Sequence, residues 1–275
     1  MTLDEIRFIF NRALSASWKK IKLIITFIVL VFCGVLIVFF QGIALDTGRW
    51  IALSLAFLPI FLCAGILLSL GILLIRIYHD EVKGKNISYK RTLVKSWEVV
   101  IGASYFSVPM ILCYLLLWML LGMFVLLSEI PNIGDVFSAV LAFGPFLINL
   151  GTLLLTILNL ALLFYVTPIL ALKGFNRIQV SRILANRFKN DVFSNLFLIV
   201  IGLLPLFILL ALLTGAALLT GSLCSSCSTP VQTILMWFFT MIPFMGILSP
   251  AVIFFFNFAA EAHVLVLKQQ ARSLP

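Results

Sequence analysis

Apolar runs of twenty or more residues recur along this 275-residue chain, and the polar segments between them are short. About 20 consecutive apolar residues suffice to cross a hydrocarbon core of about 30 Å as a helix. Hydrophobic residues make up 63% of the chain and charged residues only 11%, against roughly 25% charged in a soluble domain. A chain with that balance cannot present a polar exterior to water. The two largest polar segments, 76–98 and 173–191, span 23 and 19 residues, too few to enclose a core of their own. In lipid the backbone must satisfy its own hydrogen bonds, which leaves helices as the economical choice. The expected fold is therefore an all-α integral membrane protein, one polytopic domain over residues 1–275, with no soluble catalytic domain.

Six transmembrane helices are expected, at about 21–40, 51–75, 99–127, 146–172, 192–219 and a last one ending near 266. The runs 136–172 and 231–267 are each 37 residues long, or about 55 Å of helix, far more than one bilayer. Each is expected to begin with a lead-in on the outer surface. Gly144-Pro145 would end the first, and the second run carries Pro243 and Pro250. Of the 19 Lys and Arg residues, 18 fall on one side of this arrangement and Arg49 alone on the other. Cytoplasmic loops carry the excess of Lys and Arg, so both termini are expected in the cytoplasm. Residues 2–20 mix acidic, basic and apolar side chains and lack a signal-peptide plan, so the first run reads as a retained helix. The net charge of +9 sits where lipid head groups would meet it, which argues against nucleic acid as the partner.

The basic segments share a frame, Arg-x-Leu-x-x-x-aromatic. It occurs as Arg12 to Trp18, Arg91 to Trp97 and Arg182 to Phe188. The same register before three apolar runs implies repeat units at about 3–80, 88–172 and 178–267. Each unit would be a basic amphipathic cytoplasmic surface helix followed by a helical hairpin. In the first unit Leu3, Ile6, Phe10, Leu14 and Trp18 are spaced by three and four, with Arg7, Asn11, Arg12, Ser15 and Lys19 on the other side. That pattern suits a helix lying on the membrane with Trp18 at head-group depth. Lys83-Gly84 and Lys173-Gly174 precede the second and third units and fit helix C-caps, with the cation at the negative end of the dipole.

Three stretches resemble a group of uncharacterised bacterial multi-pass proteins similar to the membrane domain fused to some glycerophosphodiester phosphodiesterases. They are Thr92-Leu93-Val94-Lys95-Ser96-Trp97-Glu98-Val99, Ala13-Leu14-Ser15-Ala16-Ser17-Trp18-Lys19, and Pro168-Ile169-Leu170-Ala171-Leu172-Lys173-Gly174 followed by Ile183, Leu184 and Phe188. In that family a Leu-x-x-Ser-Trp element begins a span and a Pro-apolar-Gly element closes the one before it. The third copy departs, with Arg187 and Phe188 in place of Ser-Trp. The resemblance implies a membrane fold of this kind in a bacterial cytoplasmic (inner) membrane. It implies no phosphodiesterase, because these membrane domains lack that unit.

Candidate sites follow from polar residues at membrane depth. Asn149, Thr152, Thr156 and Asn159 line one face of the fourth span, and Asn257 and Glu261 one face of the sixth. Polar groups avoid lipid and face the bundle interior, where they either build a solute path or glue helices together. Cys224 and Cys227 share a loop whose spacing permits a disulfide in an oxidising compartment, or two free thiols. Cys33, Cys63 and Cys113 read as small apolar residues within spans. No phosphate-binding glycine loop, zinc motif, nucleophile grouping or cluster of carboxylates occurs, so no metal, cofactor or enzymatic activity is expected. Two functions remain. One is a membrane protein that binds anionic lipid head groups, or scaffolds a membrane protein partner, through Arg12, Trp18, Arg91, Lys95, Trp97, Arg182 and Arg187. The other is a small-solute permease using the polar faces of spans four and six.

Overall fold

The computed structural model describes residues 3–45, 47, 49–84, 94, 101–102, 105, 107–128, 143–174, 180–185, 192–221 and 230–272. Among these residues the long elements are all helices: α1 Leu3–Ser15, a 3-10 turn Ala16–Trp18, α2 Lys20–Ala44, α3 Arg49–Val82, α4 Val108–Ser128, α5 Phe143–Lys173, α6 Val192–Leu219 and α7 Pro230–Arg272. Among the described residues five stretches are long and apolar enough to cross a membrane: Lys20–Ala44, Ser54–Val82, Phe146–Leu172, Phe193–Leu219 and Val231–Lys268. A shorter apolar stretch, Val108–Phe124, lies in α4. The chain is an all-α, multi-pass membrane protein.

Helix α7 is the hub. It packs against α1, α2, α3, α5 and α6, while α3 packs against α2, α4, α5 and α7. Consecutive helices also pair, α2 with α3, α4 with α5 and α6 with α7. Residues 251–260 of α7 are buried on every side, as are 163–171 of α5 and 70–75 of α3. A helix apolar all round belongs in such an interior. These three segments meet at Gly71, where a Cβ would lie 2.3 Å from Phe256 Cε1 and 2.7 Å from Thr167 Cγ2. In lipid, small residues of this kind let helix backbones approach. Tyrosines then tie neighbouring helices: Tyr165 Oη donates to Asn195 O at 2.7 Å and Tyr114 Oη to Ser54 O.

Three sequence expectations are corrected. The run 231–267 does not divide into a lead-in and a span. Pro243 and Pro250 lie inside one 43-residue helix, because neighbouring groups and local adjustment accommodate proline in membrane helices. Helix α4 begins at Val108 rather than at 99, with Pro109 as its second residue, a position where no intrahelical N–H bond is lost. The apolar stripe of α1 is not given over wholly to lipid. Ile9 and Ala13 are its buried residues and Phe10 packs beside them, whereas Leu3, Leu14 and Trp18 are exposed. The fourth span does begin near Gly144-Pro145, with Pro145 in the first turn of α5.

The expected caps are present. Helices α3 and α5 end just before Gly84 and Gly174, which have φ of 64° and 81°, left-handed values that glycine adopts without a Cβ penalty. Arg76 Nε donates to Ala171 O at 3.1 Å near the end of α5, a favourable place for a cation.

Gly71→Val forces a side chain into the three-helix junction. A loss of about 1–3 kcal/mol is expected from overpacking, read as a lower unfolding midpoint in detergent. Gly215→Val, where a Cβ meets nothing within 4 Å, should leave the midpoint nearly unchanged.

Candidate functional site

The amino-terminal helix docks on the tightly packed end of the bundle. Phe10 meets Phe254 edge to face at a centroid distance of 4.9 Å and Phe258 at 6.3 Å. That apolar contact brings the basic side of the amino-terminal segment against the ends of α3 and α7, where two carboxylates wait. Glu261 Oε1 accepts from Tyr78 Oη at 2.5 Å and has Arg12 Nε at 3.4 Å. Glu81 Oε2 accepts from Lys22 Nζ at 2.6 Å. Its other oxygen has Lys19 Nζ at 3.4 Å, an ionic contact without hydrogen-bond geometry.

The two pairs are joined through Tyr78, whose ring centroid lies 5.2 Å from Lys22 Nζ. Lys22 also donates to Ala16 O at 3.4 Å, which fastens the 3-10 turn to α2. The Lys22 side chain has no exposure and that of Glu81 only 6%. Arg12 and Lys19 stay partly in water at 37% and 49%. The cluster is thus a graded junction, with an ion pair inside and two cations closing it from outside. Three cations meet two carboxylates and a phenol here, and these pairings attach the amino-terminal segment to α3 and α7.

The residues anticipated from sequence are spread over the molecule. Arg12 and Glu261 meet in this junction, although they were assigned to different roles. Trp18 is exposed beside it, and Arg182 is exposed on a helical segment, 180–185, whose Val180 is buried in the same core. Arg91, Lys95, Trp97, Arg187, Cys224 and Cys227 lie outside the described residues.

Of the polar stripe of α5, Thr152 and Asn159 are buried toward α3 and α4, Thr156 is half-buried and Asn149 is exposed. Asn149 and Thr152 line a space of about 10 Å³ with Ser54, Tyr114 and Trp118. Asn159 lines another of about 20 Å³ with Ala64, Leu68 and Ser107. Each is on the scale of a single water. Thr152 and Thr156 donate their hydroxyls back to Ile148 O and Thr152 O of their own helix, at 3.0 and 2.9 Å. Asn257 is fully buried on α7, and neither its Nδ2 nor its Oδ1 has a hydrogen-bond partner.

Sequence reasoning missed Lys22, Tyr78 and Glu81. Lys22 had a signal, since a lysine inside an apolar run calls for a partner. Glu81 had little, because a carboxylate in a basic segment reads as solvated. Comparison with family models, curated proteins and solved structures yields no match.

Glu81→Ala leaves Lys22 buried without a counter-charge, and breaking such a pair costs about 3–5 kcal/mol. The double variant Lys22→Met/Glu81→Leu removes both charges and should recover most of that loss. Chemical unfolding in detergent measures both. A single variant as stable as the double would contradict a buried pair.

Proposed function

We propose that this is a non-enzymatic protein of a bacterial cytoplasmic membrane that binds anionic lipid, or holds a membrane protein partner, on its basic face. In this reading α4 also crosses the membrane, as the third of six spans in chain order, the three consecutive helix pairs are hairpins, and both termini are cytoplasmic. The frame shared by Arg12 and Arg182 supports the repeat. In that register Phe10 corresponds to Val180 and Ala13 to Ile183, and all four residues pack on the same core. The resemblance to the membrane domain of glycerophosphodiester phosphodiesterases belongs to the same proposal, without the phosphodiesterase activity.

One observation carries the reading. Docking of α1 consumes Arg12, Lys19 and Lys22 on internal carboxylates, while Arg7, Lys20 and Arg182 are exposed at the same end as Trp18. Basic residues beside an exposed tryptophan at the end of a bundle are placed for phosphate groups of lipid. The permease alternative has one point in favour, the partnerless Asn257 amide one turn from Glu261. A polar group at that depth is a functional candidate.

Native mass spectrometry of the detergent-purified protein tests the lipid reading. A basic residue near an anionic surface contributes about 1 kcal/mol. Arg7→Glu, Lys20→Glu and Arg182→Glu together should therefore lower retained phosphatidylglycerol by more than tenfold and leave phosphatidylethanolamine unchanged. Equal retention of phosphatidylglycerol by both proteins would remove the basis for the proposal.

A further inference from the structure

Helix α4 starts part-way along its neighbours. A Cβ on Gly144 of α5 would lie 2.9 Å from Phe124 of α4, and one on Gly151 would lie 3.5 Å from Leu117, so the two helices run antiparallel. Continued in the same register, the start of α4 at Val108 stands beside the middle of α5 and not at its end. Ahead of that start Ile101 and Gly102 are helical, but Tyr105 lies in a turn. Val108 N donates to Tyr105 O at 3.3 Å. The helical ladder is therefore interrupted just before α4.

The interruption falls deep in the apolar part of the bundle. Ser107 lines a space of about 20 Å³ with Ala64 and Leu68 of α3 and with Asn159, Leu163 and Val166 of α5. Asn159 is the midpoint of the membrane-crossing stretch Phe146–Leu172, about 20 Å of helix from either end. It is only 7% exposed. A side-chain amide brings two donor hydrogens and an acceptor oxygen to be satisfied, and none of the described residues hydrogen-bonds that of Asn159. Thr152 and Thr156 of the same stripe are satisfied within α5. The side chains of Ala64, Leu68, Leu163 and Val166 offer neither donor nor acceptor.

Two general constraints then meet in one place. Non-helical backbone at membrane depth is tolerated where it is buried in protein or lines a hydrated cavity. A water molecule needs about 10–15 Å³ of such space and polar partners around it. The space beside Ser107 is large enough for one water and too small for an acyl chain or a larger solute.

We propose that the space between α3, α4 and α5 binds one water molecule, held by the Asn159 side chain and Ser107 at the centre of the bilayer. The water supplies the amide with the hydrogen bonds that the apolar lining cannot, and it bridges α5 to the point where the chain turns into α4. The site is independent of lipid binding at the basic face.

X-ray hydroxyl-radical footprinting of the full chain in lipid nanodiscs tests this, because radiolysis of a bound water oxidises the side chains that touch it. Leu68 and Leu163 line the space, whereas Leu74 and Leu170 have no exposure and lie outside it, so the comparison is between like residues. Oxidation of Leu68 and Leu163 should exceed that of Leu74 and Leu170 severalfold in the unaltered protein, a contrast that needs no variant to fold. In Asn159→Leu, which keeps the side-chain size and removes the amide, it should fall to the level of Leu74 and Leu170. Equal oxidation of all four leucines in the unaltered protein would overturn the proposal. So would an excess at Leu68 and Leu163 that persists in Asn159→Leu.

Discussion

Everything at the packed end of this protein depends on Glu81 and Glu261 meeting the cations of the amino-terminal segment. Within a bilayer, helices gain little from burying apolar surface, because lipid is as apolar as the core. What selects one arrangement is close backbone approach and the pairing of polar groups. Lys22 is fully enclosed, and an ammonium so placed is tolerable only with a carboxylate against it. That requirement fixes α2 relative to α3. Arg12 on Glu261 fixes α1 relative to α7, and Tyr78 couples the two by touching both. The amphipathic helix is therefore a component of the bundle as well as a surface element.

The molecule has a gradient along its length. Near α1 the segments 70–75, 163–171 and 251–260 are buried all round and packed about Gly71. Toward the other end a groove of about 310 Å³ lies along α2 and α7. Helix α6 is the most peripheral of the long spans, with 17% of its apolar window buried against 67% for α3.

Much of this was legible in the sequence, and the exceptions have physical causes. Spans announce themselves through hydropathy, since solvent dictates them residue by residue. Gly84 and Gly174 could be read as caps because a left-handed residue after a helix has a local chemical requirement. The face of α1 could not be read fully. Its period of three and four showed that one side is apolar, but how that side divides between bundle and lipid depends on Phe254 and Phe258, far along the chain. Glu261 stood out as an ionisable group in an apolar run, yet its partner Arg12 lies near the opposite terminus. The continuity of α7 through Pro243 and Pro250 was hidden for a similar reason, as proline breaks helices in water more readily than in a packed membrane bundle.

The most direct measurement is hydrogen exchange of the α1 amides with the protein in lipid nanodiscs, with Glu81 and Glu261 intact and with both replaced by glutamine. If the two carboxylates hold α1 on the bundle, residues 5–15 are as protected as the end of α3 in the unaltered protein. They should lose that protection in the double variant while the centre of α7 keeps its own. Unchanged protection of α1 in the double variant would mean that lipid or apolar contact alone holds the helix, and would contradict the account.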